Sequence, residues 1–90
     1  MPNISSFYGI VILMFHRHGQ HKAPYFHAQY QGKDASFLIE SGEMVSGELS
    51  VRTVRIVQEW AVRHRDELMD NWERAVKLEP LKQIVGADND

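Results

Sequence analysis

The sequence predicts an α+β domain, with a three- to four-stranded antiparallel sheet followed by one long or two short C-terminal helices packed on it. Three observations lead there. The first half holds short runs of aromatic and β-branched residues between glycine-containing turns. From Val51 to Leu78 apolar residues recur at three- and four-residue steps with no proline. Strands precede helices, the order of a sheet with its helices on one face. The 90 residues make one domain, expected over 1–85, with 86–90 as a flexible C-terminal tail.

Residues 1–6 read as a polar lead-in. Phe7 to Phe15 reads as the first strand. Ile10, Ile12 and Met14 face one side of it, and Val11, Leu13 and Phe15 the other. A strand apolar on both faces is normally covered on both. One helical layer cannot do that, so a split helix, the tail or a homodimer is expected to cover the second face. Pro24 opens the next extended piece. Tyr25 to Tyr30 alternates, with Phe26, Ala28 and Tyr30 on one face and Tyr25, His27 and Gln29 on the other. A turn over 31–34 leads to a strand from Ala35 to Glu40, and Met44–Val45 adds a short fourth.

Ser50 is a helix N-cap. Val54, Val57, Ala61, His64, Leu68, Trp72 and Ala75 form the buried stripe, and Val51, Trp60 and Val76 widen it. Arg55–Glu59, Glu59–Arg63, Asp70–Arg74 and Glu73–Lys77 are oppositely charged pairs four residues apart. A bend near His64–Asp66 is as consistent with the pattern as a straight rod. Pro80 is the expected stop, and Leu81 and Ile84 fold the tail back. Trp60 and Trp72 are core anchors.

Composition narrows the function classes. A net charge of −2 argues against bulk binding to nucleic acid. With no cysteine there is no disulfide, thiolate metal site or thiol nucleophile. Residues 7–15 span about half of the ~20 apolar residues that a membrane helix needs. They also lack the flanks of a signal peptide, so a cytoplasmic protein without a membrane partner is expected. There is no glycine-rich phosphate loop and no serine–histidine–acid set.

Histidines hold what chemistry the chain offers. His16, His18 and His21 are spaced for a divalent metal. No cysteine or carboxylate completes that set, so no metal and no cofactor is assigned. His27, His64 and His21 are the candidate catalytic groups, because an imidazole titrates near neutrality. The plainer reading of each is a hydrogen-bonded structural histidine. A His27–His64 pair requires the helix to cross the hairpin. Tyr25, His27, Tyr30, Arg52 and Arg55 make up the candidate binding surface. Arg52 and Arg55 stand in the first helical turns, against the helix dipole. They either bind an anion or pair with Glu48 and Glu59. Tyr25 and Tyr30 with Arg17, Lys22 and Lys33 outline an aromatic–basic RNA surface, which the overall charge disfavours.

An ordered set of residues carries a resemblance. It runs Pro2, Ile4, Phe7, Gly9, Ile10; His21, Pro24, Phe26, His27, Tyr30; Gly47, Glu48, Leu49; and Glu59, Trp60, His64, Leu68, Trp72. Over residues 2–82 this resembles a family of short bacterial proteins known as domain of unknown function four-one-six-zero. Ala23, Tyr25 and Ser50 depart from the family pattern. Tyr25 replaces the first histidine of its Pro-His-Phe-His motif, which removes any role needing two histidines around Phe26. The resemblance implies a gene beside that of another small protein, in toxin–antitoxin-like pairs. The expected function is therefore a protein-interaction module of a two-gene system, more a binding protein than an enzyme. Its partner would be a small protein encoded by the adjacent gene. A small histidine-dependent nuclease-type toxin and a nucleic-acid-binding regulator are the alternatives.

Overall fold

Residues 3–15 and 23–90 are described by the structure, a computed structural model. Among them are five strands in one antiparallel sheet of order β1-β2-β3-β4-β5. They are β1 (Asn3–Phe7), β2 (Ile10–Leu13), β3 (Tyr25–Tyr30), β4 (Lys33–Leu38) and β5 (Met44–Gly47). Two helices follow, α1 (Val51–Arg63) and α2 (Arg65–Val76). The α+β class and the strands-then-helices order are as expected.

The expectation of three to four strands is corrected to five, and the reason is a turn inside the apolar run. Tyr8 and Gly9 both take left-handed backbone, with φ of 53° and 80°. Phe7 pairs with Ile10 across them, making a two-residue hairpin turn. The lead-in therefore becomes β1, with Ile4 and Phe7 in the core. Gln31 and Gly32 repeat this geometry between β3 and β4, with φ of 49° and 78°. That shorter turn starts β4 at Lys33, two residues earlier than expected. Gly47 ends β5 at φ 90°, and a Cβ there would overlap the Asp34 carbonyl and come within 2.5 Å of Ala35 Cα.

Ser50 caps α1, its Oγ accepting from the Thr53 N–H at 3.2 Å. The helical run breaks at His64, with φ −114° and ψ 26°. Charge is arranged to suit the break: Arg63 ends α1, and Asp66 and Glu67 open α2. The run ends at Val76, before Pro80 is reached. Leu78 adopts φ 60° at the position that favours glycine. The Glu79 N–H then bonds Arg74 O at 2.8 Å and closes the helix. Of the four expected helical ion pairs only Asp70–Arg74 forms, at 2.9 Å.

One face of the sheet carries the core. Trp60 is fully buried, its ring 5.1 Å from Phe7 and 6.0 Å from Phe26, and Phe26 stacks on Phe37 at 5.5 Å. Trp72 is buried as well, so both tryptophans are core residues. On the opposite face Leu13 is buried, while Val11 and Phe15 are half-buried.

After α2 the chain returns as a strap. The Asn71 amide donates to Lys82 O at 2.9 Å and accepts from Lys82 N–H at 2.8 Å. Ile84 N–H donates to Ile4 O, and Ser5 Oγ donates to Ile84 O, both at 2.8 Å. Trp60 Nε1 donates to Val85 O at 2.8 Å. A 3-10 turn, Ala87–Asn89, follows, and then Asp90.

Candidate functional site

A cleft of about 720 Å³ opens between the β1–β2 turn, the end of β3 and the flank of α1. Tyr8, Tyr30, Arg52, Glu59, Arg63 and Ala87 are the lining residues that give it chemistry or shape. The local folding explains their placement. The left-handed turn lifts Tyr8 out of the hairpin, leaving it 60% exposed. Gly9 lets Tyr30 lie close, since a Cβ at Gly9 would stand 3.3 Å from Tyr30 Cε1. The Ser50 cap sets the start of α1 and so turns Arg52 into the cleft.

Electrostatics leave Arg52 available. Glu48, one of its expected partners, pairs with Lys33 at 3.2 Å instead. Neither Arg52 nor Arg55 has an ion pair among the described residues. Arg55 is exposed and lies outside the cleft lining. A cleft lined by a guanidinium and two phenols is suited to an anion such as a carboxylate or phosphate.

Tyr25 and His27 are elsewhere. They line a shallow pocket of about 430 Å³ on the opposite face of the sheet, with Ser36, Leu38 and Val45. His27 Nδ1 shares a hydrogen bond with Ser36 Oγ at 3.2 Å. Its half-buried ring meets Phe15 and Tyr25 edge-on, at 4.8 and 5.3 Å. Tyr25 also reaches Trp72 at 5.3 Å. The residues grouped as one binding surface thus divide: Tyr30 and Arg52 share the cleft, and Tyr25 and His27 share the other face.

His64 sits at the break between the helices, its side chain 11% exposed. Its Nδ1 is 2.6 Å from Glu67 Oε1, and its Nε2 is 2.9 and 3.1 Å from the two Asp90 carboxylate oxygens. Burial pulls its pKa down, but the hydrogen bonds and charges of Glu67 and Asp90 outweigh burial and raise it above the usual 6.5. The ring leans on Trp60 at 5.4 Å, and Trp60 in turn packs on the core side of Phe26. His27 projects from β3 to the other side. The structure therefore separates His27 and His64 rather than pairing them. His64 is held between two carboxylates, one on each ring nitrogen.

His21, along with His16, His18, Arg17 and Lys22, lies outside the described residues. Among the described residues no group of three or more histidine, cysteine or acidic side chains is placed to hold a metal ion. No helix among them is long and apolar enough to cross a membrane.

Four residues of interest escape the sequence reading. Tyr8 gave no signal, because a tyrosine–glycine pair is not the asparagine–glycine or aspartate–glycine signature of a two-residue turn. Asn71 was readable, as a polar residue on the buried stripe between Leu68 and Ala75. Arg63 was readable by helical spacing, on the α1 face that carries Arg52, Ile56 and Glu59, whereas Ala87 enters the cleft through the strap's path, for which no local pattern exists.

No curated protein matches the chain, and no solved structure does. The family model described as "Domain of unknown function (DUF4160)" matches residues 9–73, more than half of the chain. The match begins at Gly9, just after Tyr8, and takes in β2 to β5, α1 and α2 as far as Glu73; of the cleft lining it leaves out Tyr8 and Ala87. On that match, the protein belongs to the DUF4160 family.

Proposed function

We propose that this protein is a non-catalytic interaction module of a bacterial, cytoplasmic two-gene system of toxin–antitoxin type. Its cleft at Tyr8, Tyr30 and Arg52 holds an acidic segment of the partner protein encoded by the adjacent gene. The observation that carries this reading is Tyr8. A large side chain at φ 53° is held in backbone that asparagine and glycine adopt more readily, at a cost of about 1 kcal/mol. Such strain concentrates at functional sites. Here it sets an exposed aromatic in the same cleft as an arginine that has no carboxylate partner among the described residues. Aromatic and arginine side chains dominate protein interfaces energetically.

The nuclease reading draws no support from His27 and His64, the candidate histidines among the described residues. His64 has a carboxylate on each nitrogen, and His27 faces away from it across β3. A nucleic-acid ligand suits the tyrosines and Arg52, but Glu59 in the same lining and the net charge of −2 oppose a phosphate chain.

Co-expression of the tagged chain with the neighbouring gene product tests the proposal. Wild type retains the partner, Arg52→Glu releases it, and Lys77→Glu on α2 does not. Failure of wild type to retain the partner, or full retention by Arg52→Glu, contradicts the reading. Nucleic acid retained at low salt in place of the partner favours the regulator.

A further inference from the structure

The strap ends in an ion site of its own. Both carboxylate oxygens of Asp90 contact His64 Nε2, at 2.9 and 3.1 Å, and Arg63 Nη1 stands 3.7 Å from one of them. The Asp90 side chain is only 14% exposed. Glu67 takes the other imidazole nitrogen, so donation to both neighbours requires the doubly protonated ring. Two cations thus converge on one carboxylate. Arg63 also lines the cleft, and so does Ala87 of the strap. Arg63 thus adjoins both the cleft and the ion site, and the strap meets the cleft at Ala87 and the ion site at Asp90.

The strap is fastened unevenly. Ile84 and Val85 are bonded to β1 and to Trp60. Gly86 lies so close to β1 that a Cβ would come within 3.0 Å of Phe7 Cβ and 2.9 Å of Ser6 O. Beyond Gly86 the backbone bonds are internal to the turn, Asn89 N–H to Gly86 O at 3.0 Å and Asp90 N–H to Ala87 O at 3.4 Å. Among the described residues, the side chain of Asp90 alone ties residues 87–90 to the helices by hydrogen bonds or ion pairs.

We infer that His64 and Arg63 form a carboxylate-binding site, which Asp90 fills in the free chain. An aspartate or glutamate side chain of the partner takes it over when residues 87–90 swing out about Gly86. This rests on reading the cleft as the partner site, and it names the chemistry that the partner must present. Asp90 acts as an internal competitor. A tethered group of this kind competes at an effective concentration of order millimolar, enough to mask weak external carboxylates.

The test uses the full chain and a capped triaspartate peptide, with capped triasparagine as the uncharged control. Titration is followed by the His64 imidazole and Arg63 guanidinium resonances. Asp90→Ala is expected to bind triaspartate about 10-fold or more tightly than wild type, as release from a tethered competitor requires. Triasparagine should be ignored, and adding Arg63→Gln should cancel the gain. Asp90→Asn, which keeps the side-chain size, should show the same gain if Asp90→Ala is poorly folded. Equal affinity of wild type and both Asp90 variants overturns the inference. Shifts at Tyr30 and Arg52 that leave His64 unmoved overturn it too, while the partner reading stands. Unmasking of the site in a chain that never retains the neighbouring gene product overturns the partner reading alone.

Discussion

Replacing Asn71 with alanine should release the strap. Asn71 is fully buried and bonds both the N–H and the C=O of Lys82, at 2.8 and 2.9 Å. Alanine removes both bonds and leaves two backbone groups without their partner. A buried group stranded in this way costs about 1–3 kcal/mol, so the two together cost about 2–6. The Lys82 residue is exposed, and water reaching its backbone lowers the figure to about 2–3 kcal/mol. For a chain of 90 residues that is a large part of a total stability of about 5–13 kcal/mol. Domains of this size lose about 4–8 °C of Tm per kcal/mol, so a fall of about 10–20 °C is expected. Thermal unfolding followed by circular dichroism gives the shift, and amide exchange shows whether residues 82–86 lose protection first. A Tm within about 3 °C of wild type would refute the claim that Asn71 holds the strap.

Three further outcomes follow from the same geometry. Tyr8→Asn should raise stability by about 0.5–1 kcal/mol, because asparagine accepts the left-handed turn, while partner binding weakens; paired urea titrations and pull-downs check the opposed signs. Gly47→Ala meets both a φ of 90° and the Asp34–Ala35 backbone, so a loss of about 3 kcal/mol or more is expected in denaturant titration. His64 makes stability depend on pH. Its folded pKa lies above 6.5, so the stabilisation from Glu67 and Asp90 is complete below pH 6.5 and is lost as pH rises through the folded value, with Arg63 facing the same Asp90 carboxylate. The urea midpoint should therefore fall on the alkaline side of 6.5 in wild type and fall less in His64→Gln.

What was legible in the sequence was what local chemistry decides. Ser50 as N-cap, the stripe through Val57, Trp60 and Leu68, and the β3–β4 hairpin each depend on neighbours within a few residues. The Tyr8–Gly9 turn was hidden because it falls inside the apolar run from Phe7 to Phe15, and the serines of β1 made that strand read as a polar lead-in. Parity alone separates Tyr25 from Tyr30: five residues apart on one strand, they face opposite sides, so they do not share a surface. The Glu67 half of the His64 clamp follows from three-residue helical spacing. The Asp90 half does not, because it joins residues 26 apart through a strap whose path is set by Asn71, Ser5 and Trp60. The cleft depends on that path as well, through Ala87.

The most direct test of the account is the footprint of the neighbouring gene product on this chain, read from amide and side-chain resonances as the partner is added. The account predicts perturbations centred on Tyr8, Tyr30 and Arg52, extending to Arg63 and His64 as Asp90 leaves. A footprint centred on Tyr25, His27 and Val45, across the opposite face of the sheet, would contradict it.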